Sequence, residues 1–102
     1  MQHEVFANPN SRTRREFPLV VVLQADVTEG AARLAAPLVP ASTQVRADNR
    51  ALPRVMHEER QYFVMLPLMS PLERRKLRHP LGSVRNSRDD ILRALDWLFV
   101  GF

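Results

Sequence analysis

The stretch that most constrains this fold is Ser87 to Phe102, SRDDILRALDWLFVGF. Its apolar residues Ile91, Leu92, Leu95, Leu98, Phe99 and Phe102 recur at the i, i+1, i+4, i+7, i+8, i+11 spacing that gathers them on one face of a helix. Ser87 stands three residues before Asp90, the spacing of a capping box, and Asp89 and Asp90 put negative charge where a helix dipole favours it. Asp89 and Arg93, four apart with the acid first, suit an exposed ion pair. Gly101 marks the stop. Most of the apolar stripe should cover the rest of the fold. Trp97 lies off its centre, and Val100, Gly101 and Phe102 lie past its last full turn, so these are the groups left to find another partner. Two aromatics and a glycine with no polar tail make an ending built to dock.

A chain of 102 residues makes one domain, residues 1–102, with a core only just large enough to fold alone. The rest of it reads mostly as short strands. Met1 to Ala7 suits an edge strand, and Asn8 to Ser11 a turn that Arg12, Arg14 and Arg15 extend as a basic loop. Phe17 to Val27 is valine-rich and almost continuously apolar as far as Leu23, the pattern of an inner strand covered on both faces. Ala32 to Val39 reads as a shorter strand that Pro37 confines to an edge or a bulge, and Pro40 to Leu52 as a loop. Arg54 to His57 and Gln61 to Met69 form a hairpin around Glu58, Glu59 and Arg60. Ser70 to Glu73 carries a second capping-box spacing with proline at the first helical position, predicting a short helix to Leu77. Leu81 to Arg85 adds a last short strand. The sum is an antiparallel sheet with a helix laid against it.

Enzyme chemistry is not indicated. The histidines at positions 3, 57 and 79 fall in no HExxH motif, and His57 beside Glu58 and Glu59 reads as a solvated turn. Asp89 and Asp90 point about 100° apart on a helix and so make no acid–base pair. No serine stands in GxSxG, no glycine-rich phosphate loop exists, and no cofactor is implied. The absence of cysteine excludes a disulfide framework and suits a reducing cytoplasm. No apolar run approaches the roughly 20 residues that span a bilayer, and no signal peptide opens the chain, so a cytoplasmic protein is expected. Fifteen basic residues against eleven acidic ones give a net charge of +4, which speeds encounter with acidic partners without choosing among them. The densest basic segment is Arg74, Arg75, Lys76, Arg78 and His79; it has no interleaved aromatics to stack bases, and it reads either as a phosphate or acidic-peptide contact or, more simply, as a solvated helix face.

Four segments carry a resemblance: LDWLFVGF at the end, QADV at 24 to 27, VFANPN at 5 to 10 and PLVP at 37 to 40. Together, in order and at close to the expected length, they resemble the CcdB family of toxins that poison bacterial DNA gyrase. The resemblance implies a small SH3-like barrel of antiparallel strands with a C-terminal helix, working as a homodimer. It also implies a toxin of a type II toxin–antitoxin pair, one that traps the gyrase–DNA cleavage complex by binding the gyrase A subunit. Gyrase contacts fall by resemblance on Phe99, Val100, Gly101 and Phe102, bordered by Asp96 and His3. A CcdA-like antitoxin with a disordered acidic tail would contact Asp26, Val27 and Thr28 together with Asp96, Phe99 and Val100. DNA would be met only indirectly, through gyrase or through the antitoxin, whose DNA-binding half represses the operon.

The best-known toxin has tryptophan at the position matching Val100 and isoleucine at that matching Phe102, while other relatives lack the tryptophan and keep the F-x-G-F form. A weaker or differently targeted poison is therefore expected. Two alternatives stay open: an endoribonuclease toxin of the same fold, and a non-toxic homologue acting as antitoxin sink or regulator. The basic segment at 74 to 79 departs from the small and apolar residues that relatives tend to carry there.

Overall fold

The computed structural model describes residues 1–25, 30–43 and 49–101. It is mainly β: seven antiparallel strands close most of the way into a barrel, and one helix follows. The strands are β1 (Glu4–Ala7), β2 (Leu19–Val22), β3 (Ala32–Pro40), β4 (Arg54–His57), β5 (Arg60–Val64), β6 (Ser70–Glu73) and β7 (Gly82–Ser83); the helix is α1 (Arg88–Val100). Their order is β4-β5-β3-β2-β1-β7, with β6 also on β3.

β3 is the organising strand. One of its edges pairs with β2, Val20 opposite Pro37 and Val22 opposite Ala35. Its other edge pairs first with β6, over Ala32 to Ala35, and then with β5, over Leu38 to Pro40. Pro37 does not confine β3 to an edge, because it sits at the handover. Its carbonyl accepts from the Met65 N–H at 2.9 Å, so its nitrogen faces the same side, in the gap between β6 and β5 where no ladder donor is required.

Alternation along the strands sorts the core. Val5, Val21, Ala36, Leu38, Val55, Tyr62 and Val64 turn into the barrel, joined by Ile91 and Ala94 of α1. Phe6, Val20, Val22 and Ala35 turn the other way and are covered by Leu77, Leu72 and Met1. β2 thus has both faces covered, as its continuous apolar character requires. The regular strand is shorter than predicted, four residues, although the Leu23 N–H still bonds the Leu34 carbonyl. β1 is no edge strand, since it pairs with both β2 and β7.

Three further expectations are corrected by tertiary pairing. Ser70 to Glu73 is a strand on β3, followed by a single 3-10 turn at Arg74–Lys76, because β3 presents an open edge that outweighs the local capping signal. β5 ends at Val64, where Leu66–Leu68 forms a 3-10 turn with proline inside it. The hairpin closes in a two-residue turn, His57 pairing with Arg60, and Glu58 and Glu59 both adopt positive φ, +50° and +66°. That is the sense of twist two-residue hairpins require, reached here without glycine or asparagine.

His57 is not solvated. It is 6% exposed, lies 6.2 Å from the Tyr62 ring centroid, and its ring occupies the space a side chain at Gly82 would need. Gly82 in β7 thereby lets β4 approach from the far end of the strand order, which brings the barrel close to closure.

Candidate functional site: the end of the terminal helix

α1 packs through a narrow anchor. Ile91 and Ala94 are buried and Leu95 is partly so, whereas Leu92 is 42%, Leu98 36%, Phe99 71% and Val100 59% exposed. The apolar stripe is therefore split. Its middle enters the core and its flank does not, which corrects the expectation that most of it covers the sheet. Leu92 and Phe99 are seven residues apart, two turns, and so share a side with the exposed Asp96. The last turn then presents Leu98, Phe99 and Val100 together as an exposed apolar end.

The ends of the helix are made differently from their sequence signals. Ser87 caps nothing with its side chain; a 3-10 turn at Arg85–Ser87 leads into α1, and the Arg88 N–H bonds the Arg85 carbonyl. The ion pair of the first turns joins Arg93 to Asp90, at 3.4 Å, instead of to Asp89. Gly101 does stop the helix. It takes a left-handed φ of +83° and returns its N–H to the Trp97 carbonyl at 2.9 Å. A side chain built there would meet nothing within 4 Å, so the position is constrained by backbone conformation and open to a partner.

Trp97 finds a partner inside the chain. The Arg50 guanidinium stacks over its ring, 3.5 Å from the centroid, and Arg54 stands 5.2 Å from the centroid of Phe63. Between these walls lies a cavity of about 640 Å³, floored by Leu52, Pro53 and Phe63 and edged by Arg50, Arg54 and Arg93. Sequence reasoning missed this feature, because Arg50 falls in a segment without clear period and Arg54 reads only as the start of a hairpin strand. Only the placement of Trp97 off the apolar stripe hinted at it.

His3 stands apart from the helix end. It is 4% exposed, and its backbone ties three segments, donating to the Val22 carbonyl and accepting from the Val84 N–H, both at 2.8 Å. Burial, reinforced by Arg88, Arg85 and the amino terminus, lowers its pKa. Arg88 opens α1 and Val100 closes it, about 18 Å along the axis, so the helix charge that acts on His3 sits at the start of the helix. Asp96, Phe99, Val100 and Gly101 are brought together on the last two turns. Asp26, Val27, Thr28 and Phe102 lie outside the described residues.

The structure is thus a small antiparallel barrel with an exposed apolar helix end. The chain belongs to the CcdB family: the family model described as CcdB protein matches residues 2–101. No curated protein matches it. Family membership suggests the toxin of a toxin–antitoxin pair. Among the described residues, no helix is long and apolar enough to cross a membrane.

Proposed function

We propose that this protein is the toxin of a type II toxin–antitoxin pair that binds the A subunit of DNA gyrase and holds the enzyme in its DNA-cleaved state. It acts in the cytoplasm by binding, without chemistry of its own, and gyrase supplies the strand breakage. The observation that carries this reading is the exposed end of α1. Phe99 and Val100 project from a helix whose anchor is confined to Ile91, Ala94 and Leu95, and Gly101 turns the backbone away without adding a side chain. Phe102 completes the contact in this proposal, with Asp96 at its rim. His3 acts on the site indirectly, by fixing the start of the helix.

The antitoxin is a disordered acidic segment that folds along the same helix end, over Asp96, Phe99 and Val100, and onto Asp26, Val27 and Thr28. The net charge of +4 favours that encounter, and ordering of the tail covers the gyrase contacts. The working form is a homodimer, and the antitoxin's DNA-binding half carries repression of the pair.

The test is expression of this protein alone in bacteria. Growth should stop, and DNA covalently linked to gyrase should accumulate on denaturing lysis. Growth arrest with cut RNA and no such complexes would replace this reading with an endoribonuclease, and no arrest would replace it with a non-toxic regulator. Gly101→Arg should abolish the complexes and keep the fold, since a Cβ at this position meets nothing within 4 Å and a left-handed residue at a helix end costs about 1–2 kcal/mol. Undiminished toxicity of that variant would refute the site.

A further inference from the structure

Two basic segments far apart in the chain meet on one surface. The loop after β1 contributes Arg14, and the turn after β6 contributes Arg75, Lys76 and, just beyond it, Arg78. They line an open groove of about 670 Å³ with Ala7, Asn8 and Pro9, and no carboxylate lines it.

The first wall is built and rigid. Asn8 is 3% exposed; its amide donates to Thr13 Oγ1 at 2.9 Å and to the Phe17 carbonyl at 2.8 Å, while its Oδ1 accepts from the Asn10 N–H. On this loop the Arg14 side chain is fixed by two bonds, Nε to the Asn8 carbonyl at 2.8 Å and Nη2 to the Pro9 carbonyl at 3.0 Å. A guanidinium has five N–H groups, so the others remain for an anion, already oriented. The second wall is anchored by Leu77, which is buried in the core beneath β2 and holds the turn that displays Arg75 and Lys76. Glu73 pairs with both, at 2.7 Å to Arg75 and 3.5 Å to Lys76, from an exposed position where such pairs are weak. Arg78 has no ion pair among the described residues. Among the described residues, one neighbouring carboxylate stands against four cations, so the groove carries net positive charge.

The lining chooses among anions. No aromatic ring or branched aliphatic side chain is present to receive a base or the apolar residues of an acidic peptide. Four cations around one open groove suit a polyanion. We infer that this groove binds the phosphate backbone of duplex DNA, independently of its sequence and of whichever protein the helix end docks on.

The experiment is fluorescence anisotropy of the full chain with two unrelated labelled 20-base-pair duplexes, from about 50 to 200 mM salt. Both should bind alike, and neutralising about four phosphates should weaken binding roughly a hundredfold across that range. Lys76→Gln with Arg78→Gln, both exposed, should reduce the salt slope by about two. Arg60→Gln with Arg93→Gln, the same loss of charge elsewhere on the surface, should leave it unchanged. Equal effects of the two double variants would overturn the inference, because net charge alone would then explain binding. So would absence of duplex binding at the lowest salt, or a poly-glutamate peptide that binds more tightly than the duplex.

Discussion

Val100→Trp tests what the end of the helix contributes to the proposed gyrase binding. Val100 is 59% exposed in the last turn of α1, one residue before the left-handed Gly101, so a larger side chain there extends into solvent. The fold should barely notice. Tryptophan and valine have similar helix propensities, and exposed substitutions of this kind stay within about 0.5 kcal/mol. At an interface the two differ, because a tryptophan anchor buries about 150–250 Å². The excess over valine is on the order of 80 Å², or about 2 kcal/mol at 25 cal/mol per Å², which corresponds to roughly thirtyfold in affinity. Titration of the purified protein against the gyrase A subunit should show that gain in Val100→Trp and a loss in Phe99→Ala, with parallel changes in cleaved DNA. Unchanged affinity in both variants would refute the reasoning, since neither side chain would then be in contact.

Other consequences follow from the barrel. Gly82→Ala would place a Cβ 2.9 Å from His57 Nδ1 and 3.0 Å from its Cε1, inside contact distance with a buried ring, and should cost about 1–3 kcal/mol in urea unfolding. In a His57→Ala background that cost should vanish. Glu58→Asn with Glu59→Gly should raise stability by about 1 kcal/mol, because both positions already hold positive φ without a residue suited to it. His3 gives a pH dependence. Its folded pKa is lowered, so as pH falls below the ordinary histidine value of about 6.5 the unfolded chain takes up a proton that the folded one resists, and stability declines. His3→Asn, which tolerates the positive φ of this position, should flatten the decline between pH 7 and pH 5.5, as read by chemical unfolding at each pH.

What the sequence made legible was what local chemistry decides. Gly101 stops α1 because a left-handed residue is needed there, and the hairpin at Glu58 and Glu59 forms between two periodic strands even without turn residues. Phe17 to Leu23 reads as a doubly covered strand because nothing but burial explains an unbroken valine run. The errors share a cause of the opposite kind. Ser70 to Glu73 carries a helix-start signal worth about 1 kcal/mol, and pairing with β3 satisfies more backbone groups than one capped turn could. Pro37 argues for an edge only if a strand has the same neighbour throughout its length, and β3 changes neighbour at that residue. His57 looks solvated beside two glutamates until Gly82, twenty-five residues later, supplies the hollow that takes its ring.

The same reasoning explains why the helix end is exposed and apolar. A helix whose stripe were wholly absorbed by the barrel would have nothing left to present. Here the barrel interior closes over Ile91 and Ala94, and the 3-10 turn at Asn49–Ala51 carries Arg50 onto Trp97, which takes a second side of the helix. What remains apolar is Leu92, Leu98, Phe99 and Val100, concentrated in the last turn because the barrel contacts end at Leu95. Such exposure costs the folded monomer little, since an unfolded chain exposes the same groups. In the proposed function its benefit arises on association, when a partner removes Phe99 and Val100 from water together. If the proposed function holds, a variant that buried them against the barrel is more stable and binds less, a trade between stability and association at one helix end.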